Sequence, residues 1–375
     1  MSKLSNVSCY VTEKISVDNI DISEYITTDN LLQNKRGRVI AEKLPTQKVT
    51  KFKKDDILIA NIRPYLKKIW QADIDGGASS DVLVVRPNNL IDNNFLYYAL
   101  TQDSFFEYVM KGSKGTKMPR GDKIQIMNFV IPDLEIGEQI KIGKLLKSID
   151  QKIQINDQIN QELEAMAKTL YDYWFVQFDF PDQNGKPYKS SGGKMVYHPE
   201  LKREIPEGWG VESVGNLLDK VTKAEKIENN SIEFVGRIPV IDQSQKYIAG
   251  FTNNQNSLIQ PQNGHVIFGD HTRVVKFINF DYARGADGTQ VLISNNENIS
   301  NILLYHMIED FDLSNYGYAR HFKFLKEKLV IVPDKKISLQ FANKADVIYK
   351  KIRNNIFENQ ELTQLRDWLL PMLMN

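Results

Sequence analysis

The feature that most constrains this chain is an internal repeat whose copies lie about 200 residues apart, each followed by a long helical pattern. Val130-Ile131-Pro132-Asp133 recurs as Ile331-Val332-Pro333-Asp334, and Asn160-Gln161-Glu162-Leu163 recurs unchanged as Asn359-Gln360-Glu361-Leu362. Because the period has the length of a domain, it indicates a tandem duplication. The repeat therefore predicts one fold built twice within the chain.

The repeat extends upstream of the two helical patterns, through segments with the composition of strands and short helices. The matching pairs are Asp56–Ala60 with His265–Gly269, Gly77–Val85 with Gly285–Ile293, and Phe95–Leu100 with Leu303–Ile308. The offset narrows from about 208 to about 199 residues, as expected from small loop deletions on a shared scaffold. Because short β runs and short helices alternate without βαβ regularity, we predict an α+β fold.

Composition places the chain among ordinary globular proteins and sets limits on its partners. The formal charge is +1, so any nucleic-acid binding must come from local basic patches. The lone Cys9 excludes an intrachain disulfide and a cysteine-rich zinc site. Residues 1–6 are too polar for a secretory signal, and no apolar run approaches membrane-spanning length. We therefore expect a cytoplasmic protein without a membrane partner.

Two proline-poor stretches predict long helices that pair with each other. Apolar positions separated by steps of three and four define a heptad seam. The first helix contributes Ile142, Leu145, Ile149, Asn156, Ile159, Leu163, Met166 and Leu170, and the second contributes Ile348, Asn355, Leu362, Leu365 and Leu369. Pairing of the two copies predicts an antiparallel coiled coil with pseudo-twofold symmetry and one domain at each end.

Two asparagines occupy equivalent positions in this seam, and two interpretations remain open for them. A buried asparagine fixes the register of a coiled coil at some cost in stability, which is one role for Asn156 and Asn355. The alternative is that both face solvent where the seam opens, since Lys152 and Lys351 lie nearby.

At this point the residues resemble a known family, the DNA-specificity subunits of type I restriction–modification enzymes. The resemblance covers essentially the whole chain and is carried by Ile131–Glu135 with Glu138-Gln139, by Lys144–Ile155, by the linker Phe180–Tyr197, and by Ile205–Trp209. The second copy lacks the glutamate-glutamine pair after Asp334, and the first copy lacks the tryptophan motif.

The resemblance implies a noncatalytic subunit with two target-recognition domains, each of which binds one half of a bipartite asymmetric DNA site. The implied division is 1–135 and 207–335 for the recognition domains, 136–178 and 336–375 for the spacer helices, and 179–206 for a linker. The implied partners are double-stranded DNA, two adenine methyltransferase subunits on the spacer, and ATP-driven restriction or translocase subunits. No cofactor is expected in this chain; S-adenosylmethionine, ATP and magnesium are expected on the partner subunits.

Two loops at matching positions are the candidate DNA contacts. Glycines let a loop approach a backbone closely, lysines neutralise phosphates, and hydrogen-bonding or aromatic side chains suit base edges. The candidates are Lys111, Ser113, Lys114, Thr116, Lys117 and Arg120 in the first copy, and Tyr316, Tyr318, Arg320, His321 and Lys323 in the second. A solvated surface loop is the alternative, which the matching positions disfavour. The clusters Lys35–Arg38, Lys51–Lys54 and His271–Arg273 are equally compatible with exposed polar turns.

Two alternative functions remain to be weighed. Asp182, Glu200 and Lys202 match the loose pattern of a magnesium-dependent nuclease, but we expect no strand between the two acids to support such a site. A coiled-coil scaffold without DNA contact is the other alternative. No Pro-Pro methyltransferase motif, nucleotide-binding loop or histidine spacing for zinc is present, and His306 is expected to be a helix-packing residue.

Overall fold

The computed structural model describes residues 1–115, 117–219, 221, 224–286, 288–317 and 320–374, and for Tyr316 only the backbone. Two compact units are distinguished: unit 1 comprises Met1–Ile155 with Glu358–Asn375, and unit 2 comprises Asn156–Phe357. Because both long helices cross this division, each unit contains part of both.

Unit 1 contains two four-stranded sheets and four short helices. Its strands are β1 (Ser2–Lys3), β2 (Ser8–Tyr10), β3 (Lys14–Ile15), β4 (Tyr25–Ile26), β5 (Val49–Phe52), β6 (Ile57–Ala60), β7 (Ile69–Gln71), β8 (Gly76–Ala78), β9 (Val82–Pro87) and β10 (Val130–Ile131). Its helices are α1 (Leu4–Val7), α2 (Asn93–Thr101), α3 (Asp103–Lys111) and α4 (Lys123–Met127), and it includes the start of α5 (Ile136–Tyr171). The strand orders are β2-β9-β6-β7 and β3-β5-β8-β4, and β4 runs parallel to β8.

Strand β6 shows how the sequence builds two cores around one sheet. Its four residues are all buried, and successive side chains of a strand point to opposite faces. Ile57 and Ile59 join the cluster that includes helix α2, whereas Leu58 and Ala60 join the cluster on the other face. A continuous apolar run is therefore required here, because both faces of the strand are covered.

Unit 2 repeats this plan. Its strands are β11 (Met195–His198), β12 (Arg203–Pro206), β13 (Gly210–Ser213), β14 (Ile238–Ile241), β15 (Gly250–Thr252), β16 (Leu258–Ile259), β17 (His265–Gly269), β18 (Val275–Ile278), β19 (Tyr282–Arg284), β20 (Thr289–Leu292) and β21 (Leu329–Val332). Its helices are the end of α5, α6 (Asn301–Ile308), α7 (His321–Glu327) and the greater part of α8 (Lys335–Leu373). The main strand orders are β18-β17-β20 and β15-β14-β19-β16, with β14 parallel to β19.

The structure confirms the α+β class and the repeated elements. The predicted pairs of segments are β6 and β17, β9 and β20, and α2 and α6. Backbone bonds are also repeated: the N–H of Leu4 donates to the carbonyl of Phe129 at 2.8 Å, and that of Val214 donates to the carbonyl of Lys328 at 2.8 Å. His306 is buried in unit 2 with its ring stacked on Tyr171, as expected for a packing residue.

The long helices α5 and α8 pack against each other in antiparallel orientation within each unit. In unit 1, Arg366 Nη1 lies 2.8 Å from Asp150 Oδ1, and Asn359 Nδ2 lies 3.2 Å from the carbonyl of Ile153. In unit 2, Asn355 Nδ2 donates to Asn160 Oδ1 at 2.8 Å. The α-helical part of α5 ends at Tyr171, and a π-helical turn follows directly over Asp172–Val176.

Nine of the thirteen predicted seam residues are at least partly buried. Ile149, Asn156 and Asn355 are buried, which favours the buried interpretation of the two asparagines. The other predicted members that are at least partly buried are Ile142, Leu163, Leu170, Ile348, Leu362 and Leu369.

The other four predicted seam residues are wrong by one position. Leu145, Ile159, Met166 and Leu365 are 46%, 37%, 59% and 43% exposed, respectively. The next residue is the one that faces inward in each case: Leu146, Asn160 and Ala167 are buried, and Arg366 is half-buried beside Asp150. From Ile142 the buried residues follow after four positions, at Leu146, and then after three, at Ile149. The predicted order was three positions and then four. Where two neighbouring residues are both apolar, periodicity alone does not decide which one is covered.

Candidate nucleic-acid interface

The cationic loop of unit 1 connects α3 to α4 and is closed by its own backbone. The N–H of Lys114 donates to the carbonyl of Arg120 at 3.0 Å, and the N–H of Arg120 donates back to the carbonyl of Lys114 at 2.9 Å. Gly115 has φ +100°, a conformation that side chains rarely adopt, which accounts for a glycine at this turn. The sequence thus forms a short, closed hairpin between two helices.

The predicted basic residues of this loop lie on the surface. Lys111, Lys114, Lys117 and Arg120 are all exposed. Ser113 instead donates its hydroxyl to the carbonyl of Met110 at 2.8 Å, so it contributes to the end of α3. Thr116 lies outside the described residues.

A second basic loop, which the sequence analysis missed, lies directly against the first. Arg63, Lys67 and Lys68 occupy the connection between β6 and β7, and the N–H of Arg63 donates to the carbonyl of Pro119 at 2.8 Å. Arg63 and Lys67 have φ values of 52° and 51°. Non-glycine residues in this region cost on the order of 1 kcal/mol each, so the surrounding structure must hold them there. In the sequence, the sign of this basic loop is that Arg63 and the pair Lys67-Lys68 follow the apolar run of β6.

The cluster Lys35–Arg38 adds a third loop to the same surface. The N–H of Lys35 donates to the carbonyl of Lys67 at 2.9 Å. The Nζ atoms of Lys35 and Lys67 lie 2.8 Å and 2.9 Å from Asp103 Oδ1. Partial burial opposes ionisation of Asp103, but the hydrogen bonds from both lysines hold its pKa below the ordinary value. Asp103 therefore joins two loops while neutralising part of their charge.

The remaining charges on this surface are only partly balanced. Arg120 Nη2 lies 3.1 Å from Asp81 Oδ1, and Lys114 Nζ lies 3.9 Å from Asp122 Oδ2. Among the residues that the structure describes, Lys111, Lys117 and Arg63 form no ion pair. Cations without protein partners are the groups expected to exchange counterions for phosphates.

The matching loop of unit 2 is anchored in a different way, which corrects one predicted contact. His321 is 3% exposed; its N–H and its Nδ1 each lie 2.9 Å from the carbonyl oxygen of Asp270. Asp270 is also buried, and its Oδ1 accepts the N–H of Phe322 at 2.8 Å, capping the first turn of α7. His321 therefore anchors the loop and does not present its ring to DNA.

The other predicted residues of the second loop are placed as follows. Arg320 and Lys323 are exposed on either side of the buried His321. Tyr318 lies outside the described residues, and the side chain of Tyr316 is not described. The structure therefore provides two exposed cations here.

The hairpin between β17 and β18 lies next to this anchor and carries the cluster His271–Arg273 on its exposed tip. Arg273 has φ 64°, the same left-handed conformation as Arg63 at the corresponding hairpin of unit 1. Gln243 holds the hairpin: its Oε1 accepts the N–H of His271 at 3.1 Å, and its carbonyl accepts the hydroxyl of Thr272 at 2.6 Å.

Beneath this hairpin is a buried cation. Lys276 is 4% exposed, and its Nζ donates to the carbonyls of Asp242 and Lys246. Burial lowers the pKa of Lys276 to about 8, although the nearby carboxylate of Asp242 opposes this shift. The ammonium group thus closes the loop 242–246, which packs against the hairpin through Gln243.

The two units share one junction between scaffold and loop. In unit 1 the N–H of Gly121 donates to the carbonyl of Asn61 at 3.1 Å, and in unit 2 the N–H of His321 donates to the carbonyl of Asp270 at 2.9 Å. Each bond joins the residue that follows strand β6, or its counterpart β17, to the residue at the end of the loop that carries the candidate DNA contacts. We call this backbone bond the loop junction.

The alternative nuclease site has no comparable geometry. Asp182 Oδ1 accepts the N–H groups of Asn184 and Lys186, both at 2.8 Å, and so closes a turn. The expectation that no strand separates Asp182 from Glu200 is wrong, because β11 lies between them and pairs with β12. Lys202 lies in the turn of that hairpin with φ 51°. The described residues contain no group of three His, Cys, Asp or Glu side chains arranged to hold a metal ion.

Comparison with known proteins identifies relatives of the chain. Residues 8–165 match the family described as the Type I restriction modification DNA specificity domain. The MjaIX specificity subunit of Methanocaldococcus jannaschii is 25% identical over 77% of this chain and 69% of its own length. The HindI specificity subunit of Haemophilus influenzae is 23% identical over 99% of this chain and 98% of its own length.

A solved structure has the same fold. The type I restriction–modification S subunit from M. genitalium superimposes with a TM-score of 0.60 at 16% identity, covering 100% of this chain and 95% of that one. Within the described residues, no helix is long and apolar enough to cross a membrane.

The fold, the family match and the relatives together indicate the class of protein that this chain resembles, the specificity subunits of type I restriction enzymes. The chain is similar to type I restriction–modification DNA-specificity subunits, through the family match at residues 8–165 and through the HindI subunit over nearly its whole length.

Proposed function

We propose that each unit recognises one half of a bipartite asymmetric DNA site, through a recognition domain at residues 1–135 and another at 207–335. The observation that carries the proposal is the loop junction. The same backbone bond closes two loops whose exposed residues differ, Lys114, Lys117 and Arg120 in one unit and Arg320 and Lys323 in the other. A shared scaffold with different loops suits the recognition of two different half-sites.

The cationic surfaces support contact with the phosphate backbone in both units. In unit 1 three loops bring together Lys35, Arg63, Lys67, Lys111 and Lys117 around a closed hairpin. In unit 2, Arg273, Arg320 and Lys323 are exposed around the anchor at Asp270. Phosphate contacts fix register and orientation, so base recognition would fall to the remaining loop side chains, including Tyr316 and Tyr318.

We propose that the paired helices, residues 136–178 and 336–375, separate the recognition domains and bind two adenine methyltransferase subunits, with 179–206 as the linker. Exposed apolar side chains on the outer faces of the helices support this. Unit 2 exposes Met166 and Tyr173, and unit 1 exposes Leu365 and Met372 at the positions about 199 residues later. Repeated apolar patches on exposed helix faces suit two copies of one partner. S-adenosylmethionine, ATP and magnesium would be bound by the methyltransferase and restriction subunits.

A domain exchange tests the modular part of the proposal. Residues 207–335 are replaced by the matching segment of another specificity subunit, and the modified sites are mapped by methylome sequencing in cells that supply the partner subunits. We expect one half-site to change and the other to persist; the reciprocal exchange of 1–135 is the matched control and should change the other half. If neither exchange alters a half-site, the modular assignment is incorrect.

The two alternatives are distinguished by simpler assays. Cleavage of plasmid by the purified chain with magnesium, lost on Asp182→Ala, would support the nuclease. Absence of sequence-specific DNA binding in the assembled complex would support a scaffold.

A further inference from the structure

Met118 is an exposed apolar side chain in the middle of the cationic loop of unit 1. It is 50% exposed and belongs to none of the apolar clusters formed by the described residues. Lys117 and Arg120, on either side of it, are exposed, and the side chain of Lys114 is 87% exposed. A methionine in this position adds nothing to the core, and it is surrounded by groups that attract a polyanion.

The backbone on the C-terminal side of Met118 is held firmly. The carbonyl of the next residue, Pro119, accepts the N–H of Arg63 at 2.8 Å, and Pro119 itself is buried. Arg120 is paired with Lys114 through two backbone bonds, and Gly121 forms the loop junction with Asn61. The loop therefore presents the Met118 side chain from a fixed base, which limits the entropy lost when it inserts into a partner.

Cations of the neighbouring loop surround the same side chain. Met118 lines a cleft of about 240 Å³ together with Ile62, Leu66, the cations Arg63 and Lys68, and Thr28 and Asp29 on the opposite loop. Arg63 is exposed, whereas Lys68 is partly buried and donates to the carbonyl of Thr28. Positive charge thus lies on two sides of the apolar tip, from Lys117 and Arg120 on its own loop and from Arg63 on the other.

We propose that Met118 is a wedge that inserts between stacked base pairs of the half-site bound by unit 1. This proposal rests on the proposed function and specifies how the DNA is contacted. Proteins that kink DNA insert apolar side chains, including methionine, between base steps while surrounding cations bind the flanking phosphates. Lys117 and Arg120 can contact phosphates or guanine edges, whereas the thioether of Met118 has no donor with which to recognise a base edge, so deformation is the contribution that the Met118 side chain itself is equipped to make.

The wedge has two consequences. Pyrimidine–purine steps are the easiest to unstack, so we expect a TA, CA or TG step at the wedge position of this half-site. An adenine that is to be methylated must leave the base stack, and a step opened nearby lowers the cost of removing it.

The test uses the full-length chain assembled with its methyltransferase subunits and a duplex carrying the site mapped by methylome sequencing. 2-Aminopurine is placed in turn at each position of the half-site bound by unit 1. Binding of the wild-type complex should increase the 2-aminopurine fluorescence at one base step. Met118→Leu should preserve the increase, whereas Met118→Ala should abolish it and weaken binding by about tenfold, without changing the salt dependence.

Lys117→Ala is the matched control from the same loop. It should lower the salt slope by about 0.9 and preserve the fluorescence increase at saturating protein, because it removes a phosphate contact and leaves the wedge. Melting curves of the three variants identify any that fail to fold. If Met118→Ala fails, the comparison is between Met118→Leu and the wild type.

Three outcomes would overturn the wedge. The first is an undiminished fluorescence increase with Met118→Ala. The second is no increase at any position together with loss of affinity when deoxyuridine replaces thymine, which would assign Met118 to a thymine methyl group. The third is absence of specific binding by the wild-type complex, which would refute the proposed function itself.

Discussion

Leu145 and Leu146 offer a direct test of the corrected helix seam, because they are adjacent and chemically identical but differently buried. Leu146 is fully buried in the cluster that includes Phe95 and Leu370, whereas Leu145 is 46% exposed. Truncating a buried leucine removes its transfer free energy and leaves a cavity, at a cost of about 2–5 kcal/mol. Truncating an exposed one changes stability by about 0.5 kcal/mol.

The expected result is therefore a large loss of stability for Leu146→Ala and a small change for Leu145→Ala. Urea unfolding of the full-length chain gives the free energies, and hydrogen exchange of α2 and α5 locates the destabilised region in unit 1. The two substitutions remove the same atoms from neighbouring positions of one helix, so intrinsic helix propensity cancels in the comparison. An equal or larger loss for Leu145→Ala would refute the seam described above.

Three further outcomes are expected. Asp270→Ala removes the acceptor for Phe322 N–H, so methylome sequencing should show relaxed specificity at the half-site of unit 2 only; relaxation at both half-sites would contradict a local role. Asn355→Leu leaves the amide oxygen of Asn160 without the donor that Asn355 supplies, which should lower the free energy of unfolding by about 1–3 kcal/mol, measured by urea titration; a stabilised variant would show that the pair is dispensable. Lys276 has a pKa lowered to about 8 by burial. Between pH 8 and about 10.4, the ordinary value, the unfolded chain binds a proton that the folded chain has released, so this group makes stability rise with pH. In Lys276→Met the rise in unfolding free energy across that window should be smaller than in the wild type, and unchanged curves would contradict the buried position.

The repeat predicted much of the fold because strands and short helices follow local periodicity. The segments Asp56–Ala60 and Phe95–Leu100, with their partners about 200 residues later, are strands and helices as expected. Burial of whole strands such as β6 follows from its unbroken apolar run. These elements depend on short-range pattern, which the sequence displays directly.

The register of the helices depends on residues far apart in the chain. Ile159 is apolar and Asn160 is polar, but Asn160 faces the seam because Asn355 of α8 donates a hydrogen bond to its amide oxygen there. Likewise, Arg366 lies inside because Asp150 of α5 lies opposite it. At these two positions, a polar contact with the opposite helix outweighs local hydrophobicity in deciding which residue faces the seam. Such contacts are visible only in the three-dimensional structure.

The candidate site shows the same limit. The exposed cations near Lys114 followed from composition, whereas Arg63 was missed because it contributes to the surface only through its contact with Pro119. His321 was assigned to DNA because it stands in a polar loop, but it is buried by an interaction with Asp270, 51 residues away in the chain. Charge density predicts a surface, and anchoring contacts decide which residues lie on it.

The loop junction has an evolutionary consequence. It is a bond between main-chain atoms, Gly121 with Asn61 and His321 with Asp270, so its formation does not depend on the side chains that lie within the loop. Under the proposed function, mutation, or recombination that exchanges a whole loop, would alter the recognised bases without destabilising the sheet that carries the loop. Under the proposed function, new DNA specificities would arise in this way while the partner subunits stay the same.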